Sequence, residues 1–146
     1  MKVKEENITR LIDVMFDFIM KMKRDTAACC ELMGGLNEKE LFVISFIGKN
    51  KDVKMTEIAS NMNVPLSTLT SIVDKLVEKK YLLRYHSDED RRVVKVKLAT
   101  IGSKQYLNFV DQKRDISKKI LSEFDSEGQE VLIDNLQKVV NTLSQN

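Results

Sequence analysis

A change of hydrophobic period after residue 80 constrains the fold of this 146-residue chain more than any other feature. Between residues 66 and 80, apolar side chains recur at the spacing of a helix with one buried face, at Leu69, Ile72, Val73 and Leu76. Two runs typical of β-strands follow, at 81–86 and 93–98, and in the second run valines alternate with lysines. The segment therefore predicts a helix followed by a two-stranded hairpin.

The loop between the two strands is charged and lacks the residues of a tight turn. Its sequence, SDEDRR at residues 87–92, places three acids before Arg91 and Arg92 and contains no glycine or asparagine. Two-residue hairpin turns depend on those two residue types for their positive φ angles. We therefore predict a longer, projecting loop.

Two helices with clear boundaries precede this unit. Residues 5–32 carry an amphipathic pattern that ends at Gly34 and Gly35. The next helix begins with a capping box, in which the side chains of Asn37 and Glu40 each bind the other residue's backbone N–H.

The remaining elements are shorter or lie at the C-terminal end. We predict a short strand at Val53–Lys54 and a brief helix capped by Thr56. A long helix is predicted at 100–124, and a last helix begins at a second capping box made by Ser126 and Gln129. The order of a short helix, a turn, a helix and a hairpin predicts a mainly α fold with a small β-hairpin wing, a winged helix-turn-helix.

The helix at 66–80 would offer its polar side to a ligand. At 100° per residue its outward positions are Ser67, Ser71, Asp74 and Glu78, flanked by Thr70 and Lys75. Hydroxyls can meet base edges or phosphates, whereas phosphates repel the two acids of the later turns. We predict that the N-terminal half of this helix enters the major groove of DNA and that Lys75 contacts the phosphate backbone.

Charge and the wing loop support the same prediction. The net charge of the whole chain is only +2, but residues 66–97 hold eight basic and five acidic residues. Arginines at a hairpin tip suit a narrow A·T-rich minor groove, where the negative potential is enhanced. We expect Arg91 and Arg92 to enter that groove and Asp90 to orient the wing by holding one guanidinium.

Other classes of protein are disfavoured. The chain has no apolar run near the ~20 residues that span a bilayer and no secretory leader pattern, so we expect a cytoplasmic protein without membrane contact. It has one histidine, His86, and no phosphate-binding glycine loop or HExxH motif, so we expect neither an enzyme nor a metal or other cofactor.

One stretch resembles the central domain of the MarR family of bacterial transcription regulators over roughly residues 36–102. It reads LNEKELFVISFI…MTEIASNMNVPLSTLTSIVDKLVEKKYLLRYHSDEDRRVVKVKLATIG. The likeness is carried by Asn37 and Glu40, the run Thr56–Ala59, the run Ser67–Leu76, the D-x-R of Asp90 and Arg92, and Leu98 with Gly102. With the helix geometry and the wing, it implies DNA contacts by Thr56, Ser67, Thr68, Thr70, Ser71, Lys75, Arg91 and Arg92.

Three residues depart from the family pattern. Ser71 stands where many members have an arginine, which removes a base or phosphate contact. Lys80 replaces a usual glycine, so the chain must either avoid a positive φ there or strain a lysine. Ala99 replaces a capping threonine, and we expect Thr100 to take over that cap.

The resemblance also implies assembly and regulation. It implies a homodimer with an N-terminal dimerisation helix at 1–35, a winged helix-turn-helix DNA-binding domain at 36–99 and C-terminal dimerisation helices at 100–146. The apolar stripes of the terminal helices support this, because exposed stripes of that size normally mark an interface. The family further implies a repressor of a pseudo-palindromic operator and a small aromatic or anionic effector bound between the dimer helices and the winged domain.

Two alternative functions remain open from the sequence. Cys29 and Cys30 are adjacent, which is not a disulfide framework, but a cysteine can sense oxidants. A winged domain can also act through protein contact without binding DNA.

Overall fold

The computed structural model describes residues 2–144. In chain order the elements are α1 (Glu5–Leu32), α2 (Glu38–Asn50), β1 (Val53–Lys54), α3 (Met55–Met62), α4 (Leu66–Glu78), β2 (Leu82–His86), β3 (Val94–Leu98), α5 (Thr100–Leu121) and α6 (Ser126–Leu143). The predicted mainly α fold with a small hairpin wing is therefore confirmed. Contacts divide the chain into two compact units, one up to Phe109 and one from Val110 onward. The division by role at 1–35, 36–99 and 100–146 stays a prediction.

The sheet has the strand order β1-β3-β2, and both strand pairs are antiparallel. Val96 of β3 lies opposite Val53 of β1 and opposite Arg84 of β2. Opposed residues share a face and successive residues alternate between faces, so Leu82 lies on this face too. Val53, Leu82 and Val96 are buried, which places this face against the core. The other face carries Lys54, Leu83, Tyr85, Lys95 and Lys97.

The hydrophobic core lies between α2, α3, α4 and this face of the sheet. Its fully buried side chains include Ile44 and Ile47 of α2, Ile58 of α3 and Val73 of α4. Cys29 and Cys30 in the last turn of α1 and Met33 directly after it complete the core. Most of α1 therefore lies outside this core.

The predicted capping box at the start of α2 is confirmed. The Asn37 side-chain oxygen accepts the Glu40 N–H at 2.9 Å, and Glu40 Oε2 accepts the Asn37 N–H at 3.0 Å. Glu40 is 3% exposed, and its other oxygen, Oε1, lies 3.4 Å from Lys79 Nζ. A single buried carboxylate thus joins the start of α2 to the residue that ends α4.

Three helices end in the same reversed turn. After α1, the Gly35 N–H donates to the Cys30 carbonyl at 3.1 Å, across Gly34 at φ 80°. After α3, the Val64 N–H donates to the Ala59 carbonyl at 3.1 Å, across Asn63 at φ 52°. These six-residue closures are Schellman motifs, in which a left-handed residue lets the chain leave the helix. Glycine and asparagine suit that conformation.

The third turn places a lysine in the left-handed conformation. After α4, the Tyr81 N–H donates to the Leu76 carbonyl at 2.8 Å and the Lys80 N–H to the Val77 carbonyl at 3.0 Å. Lys80 has φ 63°, so the chain does not avoid the positive φ and the lysine is strained. A side chain with a Cβ in this region costs about 1–2 kcal/mol.

Three predicted helix caps are wrong. Thr56 is the second residue of α3, which begins at Met55, because the Glu57 carboxylate accepts the Lys54 N–H at 2.9 Å and starts the helix earlier. Thr100 is already the first residue of α5, so it does not replace the missing cap at position 99. Asp125, rather than Ser126, caps α6: its Oδ1 accepts the Gly128 N–H at 2.8 Å. Aspartate is as good an N-cap as serine, and Asp125 comes one residue earlier.

The terminal helices leave large apolar side chains uncovered. In α1 these are Ile8, Leu11, Ile12, Val14, Met15, Phe16, Phe18, Ile19, Met20 and Leu32, and in α6 they are Val131, Ile133, Leu136, Val139, Val140 and Leu143. No residue of α6 is buried. Within residues 2–144, none of the helices is long and apolar enough to cross a membrane.

The strained lysine gives a stability prediction. We expect Lys80→Gly to raise the free energy of unfolding by about 0.5–1 kcal/mol, because it removes the Cβ strain while adding some chain entropy to the unfolded state. Lys80→Ala is the matched control, since it removes the lysine but keeps the Cβ, and we expect no such gain. Urea unfolding of the three proteins measures the difference, and equal stabilisation by alanine would contradict the strain at this position.

Candidate nucleic-acid interface

The α4 helix divides its faces as predicted. Leu69, Val73 and Leu76 are fully buried, and Ile72 packs against them at the edge of the core. The exposed side chains of the opposite face are Ser67, Ser71, Asp74, Lys75 and Glu78, while Thr68 and Thr70 are half-buried. The polar side of this helix is therefore free to meet a ligand in the described chain.

A groove of about 490 Å³ runs beside α4 and collects residues from four parts of the winged unit. Its polar lining comes from Lys54, Thr56, Thr70, Arg84 and Arg92, and its apolar lining from Met55, Leu66, Val93 and Val94. Three of the predicted site residues, Thr56, Thr70 and Arg92, thus meet in one place. Arg91 instead lines a separate depression of about 400 Å³ with His86, Ser87 and Asp88.

Two of the hydroxyls of α4, those of Thr70 and Ser71, already donate hydrogen bonds within the helix. Thr70 Oγ1 donates to the Leu66 carbonyl at 2.8 Å, and Ser71 Oγ donates to the Ser67 carbonyl at 3.2 Å. With its proton used inside the helix, each oxygen offers lone pairs outward. Such an acceptor suits the amino groups of adenine and cytosine in the major groove and does not suit a phosphate oxygen. The geometry favours base-edge contacts by these two residues over phosphate contacts.

Arg84 is a member of the groove that the sequence reading missed. Its Nη2 lies 2.7 Å from Asp74 Oδ1, so the wing strand β2 is tied to the outer face of α4. The pair also offsets the charge of Asp74, which was expected only to repel phosphates. The alternation of side chains along β2 could have indicated this residue. Arg84 follows the buried Leu82 by two positions and therefore lies on the same face of the sheet, toward α4.

The wing loop is held by Asp90, but through the main chain. Asp90 Oδ1 accepts the Arg92 N–H at 2.9 Å, and the Asp90 carbonyl accepts the Val93 N–H at 2.9 Å. The expectation that Asp90 holds a guanidinium is wrong, because an aspartate in a turn reaches the backbone two residues on more readily. Both arginines remain exposed, on a loop whose backbone is fixed.

Both cysteines lie in the core. Cys29 is 2% exposed and Cys30 is 7% exposed. Burial raises the pKa of the Cys30 thiol above its ordinary value, and the nearby charges of Glu38, Cys29 and Glu40 raise it further. A raised pKa lowers the fraction of the reactive thiolate. Among residues 2–144 there is also no cluster of three or more histidine, cysteine or carboxylate groups placed to hold a metal ion.

Known proteins resemble this chain over the same region. A MarR family model matches residues 36–94. The transcriptional repressor MdtR of Bacillus subtilis is 31% identical over 88 residues, which cover 60% of this chain and 57% of MdtR. The chain spans less than two thirds of the length of the curated relatives it matches.

Solved structures share the fold over nearly the whole chain. FabT of Streptococcus pneumoniae, crystallised with DNA, has a TM-score of 0.77 at 23% identity, covering 97% of this chain and 99% of that one. A MarR family protein of Bacillus stearothermophilus has a TM-score of 0.84 at 17% identity, covering 98% and 99%. Over residues 36–94 the chain is thus similar to the MarR family, and with its arrangement of α3, α4 and the hairpin it shares the winged helix-turn-helix fold of these structures.

Proposed function

We propose that this protein is a transcription regulator that binds double-stranded DNA as a homodimer and acts as a repressor. The observation that carries the proposal is the groove beside α4, where Thr56, Thr70, Arg84 and Arg92 converge from two helices and the wing. FabT, which shares the fold, was crystallised with DNA, and MdtR is named a repressor; both support the proposal.

In this proposal the first turns of α4 enter the major groove. Ser67, Thr70 and Ser71 approach base edges there, with Thr56 and Thr68 beside them and Lys75 on the phosphate backbone. Arg91 and Arg92 of the wing enter the adjoining minor groove, and Asp90 orients them by fixing the loop backbone. The function needs no catalytic step, and we propose a cytoplasmic regulator rather than an enzyme.

Homodimer formation is supported by the uncovered apolar faces of α1 and α6. Side chains such as Phe16 at 65% exposure and Leu136 at 54% would be unfavourable in water without a partner surface. A two-fold dimer would place its two α4 helices about one helical turn of DNA, ~34 Å, apart on a pseudo-palindromic operator.

Regulation by a small aromatic or anionic effector belongs to the same proposal. Exposed aromatic surface is available on α1 at Phe16 and on α2, where Phe42 stacks on Phe46 with ring centroids 6.0 Å apart. A ligand that lowers operator affinity must bind the form that does not fit DNA better than the form that does.

The wing arginines give the main test of DNA binding. We expect affinity for the DNA upstream of the protein's own gene to fall steeply with salt, because phosphate contacts release counterions. Arg91→Ala with Arg92→Ala should reduce the slope of log K against log salt by about 2 to 4 for a dimer, at about 0.9 for each neutralised phosphate. Fluorescence anisotropy between about 50 and 200 mM salt measures both slopes.

A matched charge loss elsewhere controls for net charge. Arg10 and Arg114 are exposed on α1 and α5, and Arg10→Ala with Arg114→Ala should leave the slope within about 0.5 of the original. A slope near zero for the unmodified protein would favour action through protein contact. Equal slopes for the wing double variant and the unmodified protein would remove the arginines from the interface.

The α6 stripe gives a test of the dimer. We expect Leu136→Glu to convert a dimer into a monomer in sedimentation and to weaken operator binding at least about tenfold, because a carboxylate would be desolvated in an apolar interface. Asn141→Glu adds the same charge on the opposite side of α6 and should leave the dimer intact. A stable monomer of the unmodified protein would contradict the proposed assembly.

The oxidant-sensing alternative has a direct test at the thiols. Because both thiols are buried and the pKa of Cys30 is raised, we expect mild peroxide to leave both cysteines unmodified at neutral pH and to leave DNA affinity unchanged. Mass spectrometry and a binding titration measure the two results. A peroxide-dependent loss of binding that Cys30→Ala abolishes would establish a sensor instead.

A further inference from the structure

The face of the wing sheet that points away from the core carries a row of lysines, two of which, Lys95 and Lys97, lie outside the groove beside α4. We call Lys54 of β1 with Lys95 and Lys97 of β3 the lysine face. Lys54 lies directly opposite Lys95 in the strand register, and Lys97 follows on the same face two residues along β3. Residues two apart on a strand are separated by about 6.7 Å. Among residues 2–144, the ion pairs use neither Lys54 nor Lys95.

The opposed lysines lower the stability of the folded protein when no ligand is bound to the lysine face. Like charges directly opposite each other in an antiparallel pair destabilise the pairing. Directly opposed residues lie closer together than the Debye length, which is about 8 Å at physiological ionic strength. Salt therefore screens the repulsion between Lys54 and Lys95 only in part. A bound polyanion would neutralise both charges at once.

The aromatic side chain in the middle of the face is held in place. Lys97 Nζ lies 5.1 Å from the centroid of the Tyr85 ring, and the Tyr85 hydroxyl donates to Asp52 Oδ1 at 2.7 Å. Burial raises the pKa of Tyr85 to about 12, with further contributions from Asp52 and Asp88. The hydroxyl therefore stays a donor at neutral pH and engages the nearest carboxylate. The three lysines outnumber Asp52 and Asp88, the two acids whose charges act on Tyr85, so the face is positive.

The lysine face is continuous with the groove beside α4. Lys54 belongs to both, because it lines the groove together with Thr56, Arg84 and Arg92. A duplex seated on α4 and the wing would reach Lys54 first and then its neighbours Lys95 and Lys97. The positive charge of the lysine face and its continuity with the groove thus both indicate duplex DNA as the ligand.

We propose that the lysine face binds the phosphate backbone of duplex DNA next to the operator, as a sequence-independent extension of the interface. The proposal rests on the proposed function as a DNA-binding regulator. It assigns Lys95 and Lys97 to affinity rather than to base recognition, since phosphate contacts carry no sequence information. The footprint on DNA is accordingly longer than the two half-sites.

The test compares two duplexes and one charge reversal. One duplex ends at the operator, and the other adds about 10 base pairs, one helical turn, on each side. We expect the unmodified dimer to bind the longer duplex at least about fivefold more tightly at low salt. Lys95→Glu should bind the two duplexes equally, while its affinity for the short duplex stays within about twofold of the original.

The same variant has a second readout in stability. Glutamate at 95 opposite Lys54 turns a like-charge pair into an opposite-charge pair, so its urea midpoint should shift upward. If Lys95 had only a structural role, its replacement would not both remove the gain in affinity for the longer duplex and raise the urea midpoint. Lys95→Gln with Lys97→Gln provides a variant without a new negative charge, and Lys104→Glu on α5 is the control for charge reversal elsewhere.

The possible results distinguish a failure of the lysine-face proposal from a failure of the proposed DNA-binding function. No binding of the unmodified protein to either duplex would overturn the proposed function and the inference with it. Binding in which Lys95→Glu and the double glutamine variant keep the full gain from the longer duplex would overturn the inference alone. The latter result would place the lysine face outside the contact with DNA.

Discussion

The backbone N–H and carbonyl of Tyr81 set the geometry of the winged unit. Its N–H closes the reversed turn after α4 on the Leu76 carbonyl, and its own carbonyl accepts the Ala99 N–H at 2.9 Å. A Cβ at position 102 would overlap that same carbonyl oxygen, so only glycine lets α5 pass this close. The end of α4, the start of β2 and the start of α5 thus meet at one residue. The angle between α4 and the wing follows from this junction.

Much of the fold and part of the site follow from the sequence, because periodicity reports which side of an element is buried. The α4 faces and the strand alternation were predicted on that basis and are confirmed, as is the capping box predicted from the spacing of Asn37 and Glu40. The boundaries at Thr56 and Ser126 were wrong because several polar residues compete to start a helix, and the neighbouring backbone decides among them. Resemblance to a family, rather than periodicity, singled out Lys80, and only the coordinates show that it is strained.

Most of what could not be predicted about the site from the sequence concerns which side chains bond to each other. The ion pair of Asp74 with Arg84 joins residues ten positions apart on a helix and a strand, and it depends on the packing angle between them. The internal hydrogen bonds of Thr70 and Ser71 depend on rotamers that a sequence pattern does not specify. Both findings change the chemistry of the surface: an acid that would repel DNA is partly neutralised, and two hydroxyls become acceptors. In the proposed complex, the absence of an arginine at position 71 would leave more of the discrimination between DNA sequences to the shape of the DNA grooves and to the wing.

The buried carboxylate of Glu40 has a mechanical consequence. Its two oxygens hold the first turn of α2 and the ammonium of Lys79 at the end of α4. Because a buried carboxylate is costly to leave without partners, its contact with the half-exposed Lys79 opposes separation of the two helix ends. A shift of the first turn of α2 would therefore either stretch the contact with Lys79 or move the end of α4 with it. The start of α2, which follows α1 in the chain, is in this way coupled to α4 by a side-chain contact in addition to the packing of the core.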